Sequence, residues 1–318
     1  MSMNRAEHYH SPMSFTYRDD MRGAQGATLG IHLADDSVRA CVLDASSRGA
    51  VVEAGALWLL EAGVVVDGFV RDRDCVAAVA TEIAAWAGPV TGVRIALATP
   101  SLAVEAVEAA DHGARRPGTI PAHPRVRVRC RMPSVGDLVV TAAPGAVARA
   151  VAAFAACGPV AEIDVLPLAL LRVIPPRLLH AGSASLVLRE GSWCWMIRLP
   201  ELSVGVGRVL GFGAVTDLSL RADEGETGRL HDWFDGVDLV GELRRFAAVN
   251  QLAVAIGAAM GAVAGPVPGV DLRTGEQLAG GTPPDPVLAP GWGSWVLERV
   301  GPCQVPVATN VVVAGSRR

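Results

Sequence analysis

The chain has 318 residues, of which 51% are hydrophobic, so it contains enough apolar material to form a sizeable core. All 28 basic residues are arginine, and the net charge of -4 excludes an overall attraction to nucleic acid. The six cysteines are widely spaced without a Cys-x-x-Cys pair, which excludes the common zinc and redox motifs and favours a reducing compartment. We therefore expect a globular cytoplasmic protein.

The first 27 residues are polar and lack the apolar run of a signal peptide, so they predict a disordered arm. The longest apolar helical stretch, Leu252 to Ala264, is shorter than the ~20 residues needed to cross a bilayer. We expect no direct membrane insertion, and membrane contact only through a partner.

Residues 28–101 predict a first lobe made of three strands, a helix and a fourth strand. Apolar runs separated by polar turns predict the strands, and apolar residues at i, i+3 spacing predict the helix. This is the element order of a ribonuclease-H-like lobe. The predicted elements are strands over Leu29–Leu33, Val38–Leu43 and Val51–Leu60, a helix over Cys75–Ala87 and a strand over Val93–Ala98.

Residues 102–176 contain a further group of predicted strands and helices, which the family resemblance given below identifies as an inserted subdomain and a return to the core. The periodic pattern breaks from 102 to 124, after which apolar and basic residues alternate, as in a strand with one buried face. The predicted elements are strands over Val126–Arg131 and Leu138–Ala142, a helix over Gly145–Cys157, a strand over Ala161–Val165 and a helix over Pro167–Val173.

Residues 177–264 predict a second, shortened lobe, because another run of strands follows Pro175-Pro176 and repeats the opening near Leu29. A Pro/Gly-rich C-terminal segment, 265–318, comes last. The predicted elements are strands over Ala184–Leu188, Cys194–Leu199 and Leu202–Val209, a helix over Val237–Ala264 and a strand over Asn310–Val313.

Several stretches carry a resemblance to a known family. They are the strand-turn-strand run Gly30–Asp44, then Ala62–Asp72, Asp164–Leu171 and the apolar run Leu252–Met260. Together they resemble the type IV pilus assembly protein PilM, an actin-like relative of the cell-division protein FtsA. The resemblance implies an actin-like two-lobed α/β fold built from duplicated ribonuclease-H-like subdomains, with a small α+β insertion in the first lobe.

The resemblance also implies a function, that of a cytoplasmic adaptor gripping a short segment of an inner-membrane pilus or secretion protein. In actin-like ATPases two hairpin turns face the nucleotide phosphates, and an acidic residue near the end of the first strand serves the metal. Here His32 stands at that acidic position and Leu188 at its counterpart. The vestigial cleft residues are His32, Asp35, Asp36 and Ser37 at the first turn and Glu190, Gly191 and Ser192 at the second.

Between Gly213 and the final predicted helix, the chain is too short for the helices, strand and Gly-Gly motif that carry the adenosine loop in this family. We therefore expect a pseudo-ATPase without catalytic residues, metal or cofactor, with ATP and magnesium disfavoured. One alternative is an active actin-like ATPase or kinase that uses Asp35, Asp36 and Glu190 in a rearranged cleft. Another is an FtsA-like division tether, although 265–318 is too rich in Pro and Gly for the amphipathic helix which that role needs. Self-association is left open.

A row of arginines is the candidate partner surface. Arg125, Arg127, Arg129 and Arg131 alternate with apolar residues and share one face of a strand. A solvated outer face is the simplest interpretation, and a surface for an acidic partner is the functional one. We expect the partner segment near Val126–Arg131 and Leu138–Ala142.

Overall fold

The structure, a computed structural model, describes residues 13–15, 26–46, 49–100, 102–107, 125–132, 135–174, 184–190, 193–199, 202–208, 217–222, 237–239, 251–262, 267 and 269–278. In this part of the chain, helices accompany three large sheets and one short ribbon, which confirms the predicted α/β class. The helices are α1 (Arg73–Ala87), α2 (Pro144–Ala153), α3 (Leu166–Arg172) and α4 (Ala253–Met260).

The strands are named in chain order. They are β1 (Met13–Phe15), β2 (Ala27–Leu33), β3 (Ser37–Ser46), β4 (Gly49–Leu59), β5 (Val65–Val66), β6 (Phe69–Val70), β7 (Gly92–Leu97), β8 (Ala103–Val107), β9 (Arg125–Met132), β10 (Gly136–Ala142), β11 (Val160–Val165), β12 (Ala184–Glu190), β13 (Trp193–Leu199), β14 (Ser203–Arg208), β15 (Asp217–Ala222), β16 (Val237–Leu239) and β17 (Glu276–Leu278).

The first sheet has the order β1-β4-β3-β2-β7-β11, with β16 also paired to β4. Strands β2, β3 and β4 form an antiparallel meander, whereas β7 and β11 run parallel to β2. Three strands, a helix and a parallel strand are therefore observed in the order that the sequence predicts. All seven residues of β2 are buried, as expected for a central strand covered on both faces.

Helix α1 links the meander to β7. Its first turn is capped by Asp72, whose Oδ1 accepts a hydrogen bond from the backbone N–H of Cys75 at 3.0 Å. The predicted helix over Cys75–Ala87 is thus observed, with its start two residues earlier. The helix predicted over Gly145–Cys157 is instead α2 followed by a single 3-10 turn at Ala155–Cys157.

Helix α4 packs directly on the first sheet because glycines allow a close approach. A Cβ added at Gly30 of β2 would lie 2.1 Å from the carbonyl oxygen of Ala255, and one added at Gly257 would lie 1.8 Å from that of Ala169 in α3. Neither position has room for a side chain. The apolar run that the sequence places in a late helix therefore covers the face of β2.

The prediction of a single helix over Val237–Ala264 is wrong at its start. Val237–Leu239 forms strand β16, which pairs in parallel with Ala50–Val52 at the edge of β4. Valine and leucine flanking one aspartate fit an edge strand. Pairing with the open edge of β4 therefore stabilises a strand here, although the local sequence pattern is helical. Similarly, Met13–Phe15 lies in the predicted disordered arm but pairs with Gly55–Leu57 of β4.

The second sheet has the order β14-β13-β12-β15. It opens with an antiparallel meander, as the first sheet does. The two sheets differ in the strand that pairs with the other edge of the first meander strand. β15 runs antiparallel to β12, whereas β7 runs parallel to β2. The described residues therefore repeat the opening of the first lobe and not its crossover.

The third sheet has the order β17-β9-β10-β8 and is antiparallel throughout. It contains the two strands predicted in the insertion, and it adds β8 and β17, which the sequence analysis did not predict. Before β17, the chain runs along β11, where Leu272 N–H donates to the Ile163 carbonyl at 2.9 Å. Residues 271–278 thus join the first sheet to the third.

No helix in the described ranges is long and apolar enough to cross a membrane. Five cysteines lie in those ranges, and all five are free thiols. The strand predicted over Asn310–Val313 lies outside the described residues.

Candidate functional site

A buried set of polar side chains lies where the first and second sheets meet. The guanidinium of Arg39, on β3, is completely buried, and its Nη1 lies 3.3 Å from Oε2 of Glu190, at the end of β12. The same carboxylate oxygen lies 3.2 Å from Nε2 of His32, on β2. His32 and Glu190 are only 1% and 3% exposed, so the contacts are shielded from solvent.

Two further residues complete this set. Nε of Arg39 donates to Oε1 of Gln251, just before α4, at 3.4 Å, and its Nη2 lies 3.9 Å from Oδ1 of Asp36. Asp36 in turn accepts a 2.7 Å hydrogen bond from the hydroxyl of Ser37. We call His32, Asp36, Arg39, Glu190 and Gln251 the inter-sheet cluster.

The hydrogen-bonding roles in the inter-sheet cluster follow from the guanidinium. Nη1 of Arg39 lies 3.4 Å from Nδ1 of His32, and a guanidinium has donors only, so Nδ1 is an acceptor. Nε2 of His32 faces the Glu190 carboxylate. Burial raises the pKa of Glu190, but the His32 ring and the charge of Arg39 outweigh it and place the pKa of Glu190 below its ordinary value.

The neighbouring Asp35 is held by a hairpin and by the second sheet. Asp67 and Gly68, with φ of 55° and 73°, form the two-residue turn between β5 and β6. Their backbone N–H groups donate to Asp35 at 3.1 and 2.8 Å, and Nε1 of Trp193 on β13 donates to Oδ2 at 3.0 Å. Burial raises the pKa of Asp35 more than these hydrogen bonds lower it.

The predicted cleft residues are therefore brought together, but they face protein groups. His32 and Glu190 pair with each other and with Arg39, and Asp35 accepts three hydrogen bonds. A nucleotide phosphate needs free N–H donors, and Mg²⁺ needs carboxylate oxygens free to coordinate it. The carboxylates of Asp35 and Glu190 already have protein partners. Gly191 and Ser192, the rest of the second turn, lie outside the described residues.

Three residues of this region were missed by sequence analysis: Arg39, Trp193 and Gln251. Arg39 carried a usable signal, since a charged residue inside an apolar central strand must find a buried partner. Trp193 and Gln251 carried none, because their contacts depend on how the second sheet and α4 meet the first.

A second buried set of charges lies wholly around the first sheet. Arg172 of α3 forms an ion pair with Asp164 of β11, and Arg94 of β7 forms one with Glu162 of β11. Arg172 also donates to the carbonyl oxygens of Gly257 at 3.1 Å and Val267 at 3.3 Å. We call Arg94, Glu162, Asp164 and Arg172 the first-sheet cluster.

Asp164, in the first-sheet cluster, is 1% exposed. Its burial raises the pKa of Asp164 despite Arg172, a 2.7 Å hydrogen bond from Val165 N–H and Arg94. Burial also lowers the pKa of Arg94, and nearby Arg172 adds to that effect.

The predicted arginine row is on the third sheet. Arg129 and Arg131 are exposed and Arg125 and Arg127 half-buried, while Val126 and Met132 on the other face are buried. The predicted alternation is thus observed. The face is not purely basic, because Asp137 lies opposite Arg131 on β10.

A partner segment cannot add as a new strand beside β10, one of the two strands at the predicted partner site. β10 pairs with β9 on one edge and with β8 on the other, so Leu138–Ala142 has no free edge. β9 is itself paired at Arg125–Arg127 by β17. A partner could use the arginine face through side chains, but it could not extend the sheet at β10.

The solved structures that are similar to this chain include the following two. A PilM-PilN type IV pilus biogenesis complex is 21% identical with a TM-score of 0.46, and the match covers 56% of this chain and 60% of that one. The cytoplasmic domain of EpsL, an inner membrane component of the type II secretion system of Vibrio cholerae, is 17% identical with a TM-score of 0.34. That match covers 57% of this chain and 70% of the EpsL chain.

The chain thus spans less than two thirds of the PilM-PilN chain that it matches. No protein-family model matches the chain, and no curated protein sequence does.

Proposed function

We propose that this chain is a cytoplasmic PilM-like adaptor, a pseudo-ATPase that binds a short segment of an inner-membrane pilus or secretion protein. The observation that carries the proposal is the pairing of the cleft residues with protein groups. His32 and Glu190 contact each other and Arg39, and Asp35 accepts hydrogen bonds from Trp193 and the Asp67-Gly68 turn. In this proposal the carboxylates of Asp35 and Glu190 bind protein groups in place of a metal-bound phosphate.

The class of partner rests on the sequence resemblance to PilM. A PilM-PilN structure is described as a type IV pilus biogenesis complex, which is the kind of assembly proposed for this chain. Since no described helix could cross a membrane, the proposed membrane contact runs through the partner.

The nucleotide part of the proposal is tested by thermal unfolding of the full chain with ATP or ADP, with and without magnesium. A ligand at a hundred times its dissociation constant would stabilise the fold by about 2.7 kcal/mol, a shift that is readily detected. We expect no shift at millimolar nucleotide. A magnesium-dependent shift that Asp35→Asn abolishes would contradict the pseudo-ATPase and favour the active ATPase or kinase.

The partner part is tested at the arginine face. We propose that Arg125, Arg127, Arg129 and Arg131 contact acidic side chains of the partner segment, because two of them are exposed beside one another on β9. Tagged protein incubated with solubilised inner membranes of its own cells should retain a pilus or secretion component, identified by mass spectrometry. The Arg127→Glu, Arg129→Glu double variant should lose it.

The matched control is Arg73→Glu, which reverses an exposed charge on α1, away from the third sheet. It should bind as the wild type does. Equal retention by the double variant would refute the placement on β9, and retention of no pilus or secretion protein by the wild type would refute the adaptor itself.

A further inference from the structure

The first and second sheets are joined by polar contacts at two points. At one, Arg39 and His32 of the first sheet meet Glu190 of the second. At the other, Asp35 in the β2–β3 turn accepts the indole N–H of Trp193 at the start of β13. Two separate points of contact resist both hinging and twisting of one sheet against the other.

Apolar packing surrounds these contacts. Leu188 and Trp195 of the second sheet are completely buried, and they belong to the same continuous core as Leu29 and Ile31 of β2. Separating the sheets would expose this apolar surface to water together with the buried charges. Hydrophobic burial therefore supplies the attraction, and it does not by itself select one alignment.

The polar contacts select the alignment. Successive side chains of a strand point to opposite faces, so a shift of β12 by one residue would remove Glu190 from Arg39 and His32. The buried Arg39 would then lose its nearer carboxylate and keep that of Asp36 at 3.9 Å, which is unfavourable. Buried ionic groups are known to fix registry in this way.

We infer that the Arg39–His32–Glu190 contacts and the Asp35–Trp193 hydrogen bond hold the two sheets in one fixed arrangement through protein side chains alone. In two-lobed proteins the angle between lobes commonly changes when a ligand binds between them. Here the corresponding position is bridged internally, so the two sheets form a rigid platform. The inference rests on these contacts and not on the identity of any partner.

The experiment measures the distance between the sheets by electron–electron resonance of two spin labels in the full chain. The labels are placed at Thr81→Cys on α1 and Arg198→Cys on β13, both exposed positions. Cys130, which is half-buried, and Cys303 are replaced by serine so that the labels are specific. The background protein without the two new cysteines should take up no label.

We expect one narrow distance in the otherwise wild-type protein, unchanged by ATP and magnesium. In the double variant, Glu190→Gln removes the charge and keeps the side-chain shape, whereas Trp193→Phe removes the indole donor and keeps a smaller aromatic ring. This variant should lose the single narrow distance. The matched control is Glu162→Gln, which removes a carboxylate from an Arg–Glu pair within the first sheet and should keep the narrow distance.

A folded double variant that retains the narrow distance would overturn the inference, and so would two distances in the starting protein. If the double variant fails to fold, each single variant is measured instead, because each retains one of the two points of contact. A broadened distribution in either single variant but not in Glu162→Gln supports the inference, and unchanged distributions in both overturn it. Neither result alters the nucleotide or partner tests of the proposed function.

Discussion

The inter-sheet cluster and the first-sheet cluster use the same chemistry and join different parts of the molecule. Each buries arginine beside carboxylate groups. In the first-sheet cluster, Arg172 and Asp164 come from consecutive elements, α3 and β11, and are eight residues apart. In the inter-sheet cluster, Arg39 and Glu190 are 151 residues apart and belong to different sheets.

The two clusters also differ in how burial and pairing balance. For Glu190 the contacts with His32 and Arg39 outweigh burial and lower the pKa, whereas for Asp164 burial outweighs the contacts with Arg172 and raises it. The surroundings of a buried carboxylate can therefore favour its ionised form, as at Glu190, or disfavour it, as at Asp164. An arginine–carboxylate pair thus cannot be assigned a stabilising role from its presence alone.

The largest expected effect is the loss of Glu190. Glu190→Ala removes the carboxylate nearer to the buried Arg39, leaving that of Asp36 at 3.9 Å, and should lower the free energy of unfolding by about 3–5 kcal/mol. Urea denaturation measures it. Glu162→Ala is the comparison, because the Arg94–Glu162 pair is 17% and 11% exposed and water can replace part of the lost interaction. Equal losses for the two variants would show that Glu190 has no special role.

A smaller effect is expected where α4 meets the first-sheet cluster. Gly257→Ala would place a Cβ 1.8 Å from the carbonyl oxygen of Ala169, so the backbone at residue 257 would have to move. Its own carbonyl oxygen, which accepts a hydrogen bond from Arg172, would move with it. We expect a loss of about 1–3 kcal/mol, typical of overpacking, measured by urea denaturation. The control is Gly145→Ala in α2, where the nearest atom would be 4.0 Å away, and which should be neutral or stabilising. A neutral Gly257→Ala would mean that α4 packs less closely than described.

The smallest expected effect is a change of folding stability with pH, which should have opposite signs for Glu190 and Asp164. The pKa of Glu190 is lower in the fold than its ordinary value of 4.5, so its contribution is complete above that pH and is lost as the pH falls through the folded pKa. The stability advantage of wild type over Glu190→Gln should therefore shrink in acid.

Asp164 should show the reverse, because its folded pKa is above its ordinary value of 3.8. Relative to Asp164→Asn, the wild type should gain stability as the pH falls through the folded pKa toward 3.8, where protonation relieves the cost of a buried charge. Urea midpoints over a series of pH values test both. Parallel curves for the two variants would remove this difference between the clusters.

Sequence patterns predicted the elements whose contacts are local. The meander β2–β4, helix α1 and the alternation of β9 follow from hydrophobic period and turn residues, which the chain carries within each segment. The cleft residues His32, Asp35 and Glu190 could also be named in advance, because the resemblance to an actin-like family identified the two turns.

The remaining features depend on contacts between distant segments. Val237–Leu239 forms a strand because the edge of β4 is open there, and no local pattern contains that information. Trp193 finds Asp35 only once the second sheet is placed. Strand β8 has a single polar residue in Ala103–Val107 and no apolar/polar alternation, so its strand form depends on pairing with β10.

The return of α4 to β2 determines the order in which this protein can fold during synthesis. Strand β2 is synthesised before residues 253–260, which supply the helix that covers Gly30. Until those residues are made, the face of β2 that α4 will cover lacks that cover. Contacts of such long sequence separation also slow folding. Deletion of α4 should therefore expose the face of the first sheet on which α4 packs, although strand β2 and α4 are far apart in the sequence.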